Sequence, residues 1–435
     1  MAAGKGERLW PITETIPKPC IPVMCKPLIR WHLDALEQVP EIDEIIIVIG
    51  YMKEKIISLV NSFSLKKKIR YVEQEDELGT GHAVKTALEK IDVTSEPILI
   101  TYSDLFLGEW DLYSTLASSG ENVIVGVPVP DPENYGVLYL RDNNQLEKIV
   151  EKPSKPSSNL INAGIYVIRP NEIIKYINTP PSPRGEIEFT DAINKAVSEG
   201  GLSIAVKTID KESWIDIGLP WNLLEANKLA LDKFLEDILG SNSKECPAYI
   251  EGPAYIGDKT TIKPGTYIEG PVYIGENAKI GPNTRIRPYT VICNNTRIGF
   301  SVEIKSSLIM EHAKISHFAY VGDSIICDHV NLGAGTMIAN LRFDDKPVKS
   351  LIRGKMISSG RRKFGSVIGS YAKTGVNVSV LPGVKIGCYS WIYPGVIVAQ
   401  DVPSHSFYKV SIKPYITPIK NEKGDEDHED ADRRL

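Results

Sequence analysis
The run Tyr255-Ile256-Gly257-Asp258-Lys259-Thr260-Thr261-Ile262-Lys263-Pro264-Gly265-Thr266-Tyr267-Ile268 places isoleucine at every sixth position. Extended both ways, the series is Ile250, Ile256, Ile262, Ile268, Ile274, Ile280, Ile286, Ile292, Ile298 and Ile304. A six-residue period matches neither the repeat of an α-helix nor the alternation of an amphipathic strand. It suits a solenoid of short strands, each hexad forming one flat side with its aliphatic residue pointing inward onto the coil below. The register slips near Met310, steps to Ile315 and Val321, and resumes as Ile368, Thr374, Val380, Ile386, Ile392 and Val398. The interruption, Leu341 to Lys363, is rich in charge. Such an insertion is either a loop protruding on the binding face or a merely solvated one.

Upstream the rhythm is different. Ile45–Ile49, Pro97–Ile100 and Asn122–Val125 are apolar on both faces, which predicts strands of a parallel sheet covered by helices. One such helix is expected to open at Pro27. The expected organisation is an α/β domain over 1–230, a linker helix over 231–245, a β-helix over 246–410 and a charged, disordered tail over 411–435. A net charge of −5 supplies no basic field for nucleic acid, and no apolar run is long enough for a membrane span. Six scattered cysteines without a CxxC pair read as reduced thiols of a cytoplasmic protein.

The first chemical signal is Ala2-Ala3-Gly4-Lys5-Gly6-Glu7-Arg8-Leu9, a glycine-rich loop whose N–H groups can approach phosphate oxygens. Arg8 and Lys18, the latter in Pro17-Lys18-Pro19, add positive charge beside it. Together they resemble the G-x-G-x-R-[LM]-x-P…P-K-P signature of the sugar-1-phosphate nucleotidyltransferases. The resemblance implies a Rossmann-like α/β fold. It also implies base reading by Gln74, Gly79 and Thr80, and sugar-phosphate binding by Gly136, Glu151, Lys152 and Asn162. Asp104 in Tyr102-Ser103-Asp104 and Asp216 in Trp214-Ile215-Asp216-Ile217-Gly218 would hold Mg²⁺. Leu78-Gly79-Thr80-Gly81-His82-Ala83 resembles the uridylyl branch, whereas W-x-D-x-G is commoner in the thymidylyl branch, so UTP and dTTP both stay open. In the family a buried strand precedes the loop; here Met1 stands directly before Ala2.

The hexad region carries a second signal. Arg287-Pro288, Val302-Glu303-Ile304-Lys305, His317-Phe318-Ala319-Tyr320-Val321-Gly322-Asp323, Asn331-Leu332-Gly333-Ala334-Gly335-Thr336 and Asn340 follow in that order. They resemble the acetyltransferase half of bifunctional N-acetylglucosamine-1-phosphate uridylyltransferases, which implies a left-handed β-helix, acetyl-CoA as co-substrate and a homotrimer. Acetylating an amino-sugar-1-phosphate requires a neutral amine, and a histidine can take its proton. By this resemblance His317 is the base, and Arg287, Lys305 and Lys346 bind phosphate. Tyr320 and Asn340 orient the sugar, Asn331 orients His317 or substrate, and Ala334 leaves room for the CoA arm. Beyond Asn340 the family's Y-D-G is replaced by Leu341-Arg342-Phe343-Asp344-Asp345, so galactosamine-1-phosphate is admitted beside glucosamine-1-phosphate as an expected substrate. Two other readings are a single-activity nucleotidyltransferase with a purely oligomerising β-helix, and a non-catalytic exchange subunit.

Overall fold
The structure is a computed structural model that describes residues 1–91, 95–239, 248–411 and 416–417. Beyond residue 417, the expected tail lies outside the described residues.

The hexads close into a three-sided solenoid whose faces hold eight, seven and eight parallel strands, consistent with the left-handed β-helix that was expected. Each isoleucine stacks on the one three hexads later: Ile250 pairs with Ile268, Ile268 with Ile286, and Ile286 with Ile304. The slip at Met310 opens two successive coils each shortened by one residue, since Ile304 pairs with Val321 and Val321 with Ile338. The inward stack is almost wholly buried. Thr374, the one polar residue in the series, is matched by Thr336, whose hydroxyl lies 2.8 Å away, and by the Gly333 N–H. At one corner His312, His329, Tyr371, Tyr389 and His405 all adopt positive φ and stack ring on ring, with centroids 4.6–4.9 Å apart.

In the α/β domain, Glu44–Ile49 and Lys68–Glu73 run parallel. Ala2 pairs beside Ile49, its N–H bonding the Val48 carbonyl, while the Met1 carbonyl accepts the Ser103 N–H. Residues 1–3 therefore lie between the strand Glu44–Ile49 and the end of Ile98–Thr101. The sheet is mixed rather than parallel throughout. Leu160–Ile168 runs antiparallel to both Ile98–Thr101 and Val123–Pro128. A strand buried on both faces has the same apolar composition in either direction, so the sequence pattern was silent on this.

The two halves share one hydrophobic core. On one solenoid face the residues preceding the inward stack, Val291, Leu308, Ile325 and Val367, are buried outward against Leu223, Leu224, Ala230 and Leu231. Those leucines and alanine belong to the helix Pro220–Leu239, which spans the expected boundary at residue 230. The reading of all cysteines as reduced thiols is corrected here. Cys25, at the left-handed turn between Pro22–Val23 and Lys26–Pro27, forms a disulfide with Cys293 on the solenoid. Their Cα atoms are 5.3 Å apart after a sequence separation of 268, so no local spacing could announce the pair. Cys20, Cys327 and Cys388 are free, and Cys246 lies outside the described residues.

Candidate active sites
The nucleotidyl-site candidates stand at strand ends that sheet pairing brings together. Trp214–Asp216 pairs antiparallel with Leu105–Leu107, Asp216 opposite Leu105, so Asp104 and Asp216 emerge side by side. The Lys18 ammonium pairs with the Asp104 carboxylate. Burial alone would raise the Asp104 pKa, but Lys18 outweighs it and holds the carboxyl below its ordinary value. Asp216 moves the other way, raised by burial and then by the Asp104 charge. Gly218 leaves room for the site: a Cβ there would come within 2.9 Å of Arg8 Nη2 and 3.2 Å of Asp216 Oδ2. Arg8 thus lies beside the Asp216 carboxylate.

Two connected clefts meet at Thr80, Tyr102 and Asp104. One, of about 270 Å³, is lined by Ala3, Gly4, Gln74 and Gly79. Gly79, at φ 111°, sits where a Cβ would lie 2.6 Å from the Ile187 carbonyl oxygen, and the Gln74 amide donates to the Gly79 carbonyl at 3.2 Å. Ala2 is turned into the core, and Gly6 forms a left-handed turn closed by the Thr13 hydroxyl at 3.0 Å. The other cleft, of about 870 Å³, is lined by Arg8, Gly136, Glu151, Lys152, Asn162 and Asp216, among others. Gly136 sits opposite Glu151, with Lys152 next along the chain, while the Asn162 amide bonds the Tyr166 hydroxyl at 2.6 Å. Sequence reasoning missed Arg184, which lines this cleft and bonds Glu188 at 2.6 Å and Glu151 at 3.4 Å. Burial raises the Glu188 pKa against the pull of Arg184. No motif flagged that loop.

The acetyl-site candidates lie on the solenoid. Stacking places Arg287 over Lys305 and Lys305 over Gly322, because Ile286, Ile304 and Val321 are in register. A hub not singled out from sequence is Asp323, nearly fully buried. It accepts from the Asn340 amide at 2.6 Å and faces Lys305 at 3.6 Å and Arg361 at 3.6 Å. Asn340 also donates to the Tyr320 hydroxyl at 3.2 Å. Arg287 bonds Glu303 at 2.9 Å, and its buried Nε makes no hydrogen bond among the described residues but lies 3.8 Å from the Glu269 carboxylate. His317 ends the strand Lys314–His317 with an exposed ring, and its carbonyl accepts the Gly335 N–H of the Ala334 turn one coil on. Asn331 is in register with Lys314 rather than with His317. Among the described residues no hydrogen bond joins their side chains. Lys346 bonds Asp344 through its backbone N–H and stands apart from the Asp323 network.

A family model described as "Nucleotidyl transferase" matches residues 1–233, and one described as "GMPPB C-terminal domain" matches residues 268–362. A "Bifunctional sugar-1-phosphate nucleotidylyltransferase/acetyltransferase" of Sulfurisphaera tokodaii is 47% identical, covering 94% of this chain and 99% of that protein. The chain belongs to this bifunctional family. Proteins named "Bifunctional protein GlmU" from Methanococcus aeolicus and Methanocaldococcus jannaschii are each 42% identical, with 94% of this chain matched and 95% and 96% of theirs. A family with two activities accounts for two separate polar clusters, one in each half of the molecule. Among the described residues no helix is long and apolar enough to cross a membrane.

Proposed function
We propose that the β-helix N-acetylates glucosamine-1-phosphate or galactosamine-1-phosphate from acetyl-CoA. The α/β domain then transfers UMP or dTMP from UTP or dTTP to the acetylated sugar phosphate. The observation that supports the acetyl half is the stacking of Arg287 and Lys305 on successive coils, two cations suited to a phosphate, with the Arg287 Nε making no hydrogen bond. The substrate amine attacks the thioester carbonyl, its proton passes to the His317 imidazole, and CoA leaves as the thiol. Tyr320 and Asn340 hold the sugar, Asn331 orients His317 or substrate, Ala334 leaves room for the CoA arm, and Lys346 reaches the phosphate when substrate binds.

In the α/β domain a phosphate oxygen of the sugar attacks the α-phosphorus and pyrophosphate leaves. That nucleophile is already ionised at neutral pH, so positioning and charge neutralisation suffice. Gly4 and its neighbours would cradle the phosphates and Gln74 and Thr80 the base, while Arg8 and Lys18 offset charge. Glu151, Lys152 and Asn162 would bind the sugar. The donor set at Asp104 and Asp216 fits Mg²⁺, a hard cation that takes one or two carboxylates and completes its shell with substrate phosphate. Mg²⁺ would supply charge neutralisation there. The two solenoid faces away from the α/β domain expose Met337, Ile397, Trp391 and Phe407, which supports assembly as a homotrimer. Acetyl-CoA and nucleoside triphosphates as substrates support a cytoplasmic setting.

The test is a panel of nucleoside triphosphates and sugar-1-phosphates, with and without acetyl-CoA. The expected result is CoA release with an amino-sugar-1-phosphate and pyrophosphate release with UTP or dTTP. Pyrophosphate release without any acetyl transfer would leave an oligomerising β-helix. Neither activity would leave a non-catalytic subunit.

A further inference from the structure
The insertion Leu341–Lys363 exposes most of its side chains, yet it has a defined structure anchored at Val348, Ser350, Ile352 and Ser359. An antiparallel bridge between Leu341 and Lys363 closes its base, and Lys349–Ile352 pairs with Lys355–Ser358 as a hairpin. Val348 and Ile352 are buried in the core shared with the α/β domain, and Phe364, just beyond the insertion, packs edge-on against Trp221 at 5.7 Å. Arg353, at the hairpin turn, pairs with Glu7 of the glycine-rich loop at 2.7 Å. After the hairpin, the Ser359 hydroxyl donates to the Val348 carbonyl at 2.8 Å, and Ile357, Ser358, Ser359 and Gly360 line the same cleft as Asp104, Lys152 and Asp216. Arg361 then sits between the domains, 3.9 Å from Glu225 on that cleft and 3.6 Å from Asp323 in the acetyl-site network.

We propose that Ser358–Gly360, carried by the β-helix half, completes the sugar subsite of the nucleotidyl cleft, and that Arg361 is the positioning residue that holds this wall in place. The inference rests on the function proposed above. Leu219 and, from the helix Pro220–Leu239, Asn222 and Glu225 line the same cleft, and Glu225 lies 3.9 Å from Arg361, the residue that follows this wall. In this proposal the wall meets the ring substituents of the sugar, with the phosphates beside Asp104. Ser358 is exposed, and its hydroxyl accepts only a long 3.3 Å bond from the Gly360 N–H. A hydroxyl can both donate to and accept from sugar hydroxyls or an N-acyl group. One consequence is that the half that modifies the amino group also helps to read the product of that modification.

The experiment is steady-state nucleotidyl transfer by the full-length protein and its variants Ser358→Tyr, Arg361→Ala and Arg361→Lys, using N-acetylglucosamine-1-phosphate with UTP or dTTP. Ser358→Tyr should raise KM for the sugar phosphate about tenfold while leaving KM for the nucleotide within about twofold. Arg361→Ala should raise the same KM severalfold, and Arg361→Lys should restore most of it. Retained acetyl transfer in Ser358→Tyr reports a folded β-helix. With an active parent, an unchanged sugar KM in Ser358→Tyr and Arg361→Ala overturns the proposal. So does a uniform fall in kcat and in both affinities. A parent that releases no pyrophosphate with either nucleotide overturns the underlying function instead, and this inference with it.

Discussion

At the residue scale, the two sites differ in how they manage charge. Lys18 and Asp104 neutralise each other while Asp216 stays destabilised by burial and by Asp104, so the site holds more negative charge than its surroundings favour. Cationic ligands and charge-neutralising side chains are worth most in such a place. Lys18→Ala should lower kcat of nucleotidyl transfer by about 10²–10³, read as pyrophosphate release, and leave acetyl transfer intact. On the solenoid, Asp323 holds Lys305, Arg361 and Asn340 at once. Asp323→Ala strips a buried partner from two cations and should destabilise the protein by about 3–5 kcal/mol in denaturant unfolding. The motif residues were legible because each sits at a fixed offset in a quoted run. Asp323 lay inside such a run without a role, since a carboxylate gives no sign in sequence of how many cations converge on it.

At the element scale, the coil explains both the repeat and its irregularity. Pairing depends on three hexads closing one turn, so coils shortened by a residue move the slip to all three faces while the inward positions around it stay aliphatic. Ile298→Ala, which opens a void in that stack, should cost about 2–5 kcal/mol in thermal or denaturant unfolding. Asp328 offers a pH test on the same element. Its carboxyl is pushed up to about 6, first by burial and then by Glu311, while the Glu311 N–H and Lys55 pull it back. A raised carboxyl favours the folded state when protonated, and that advantage is lost as pH rises from about 4 through 6. Asp328→Asn should therefore raise Tm above pH 6, by up to about 3 kcal/mol in stability, and change little below pH 4. The hexads made the solenoid readable from Ile250 onward. The direction of Leu160–Ile168 was not readable, because burial on both faces erases the alternation that separates the two kinds of sheet.

At the scale of the whole molecule, the halves are one mechanical unit. A shared core, the Cys25–Cys293 disulfide and the hairpin after Leu341 all cross between them. Removing the disulfide by Cys293→Ser should lower stability by about 5–6 kcal/mol on the loop-entropy view, seen as a lower Tm that reductant reproduces in the parent. These cross-domain ties join residues hundreds of positions apart, and periodicity and local motifs carry no information about them. The central claim is that two sites act in sequence on one substrate. The most direct measurement compares parent and His317→Ala in forming nucleotide-sugar from glucosamine-1-phosphate plus acetyl-CoA, and from N-acetylglucosamine-1-phosphate. The account predicts that His317→Ala loses the acetylated product of the first reaction by at least about 10²-fold and keeps the second at the parent's rate. Equal acetylated product from glucosamine-1-phosphate in both proteins, or loss of both reactions together in a folded variant, would contradict it.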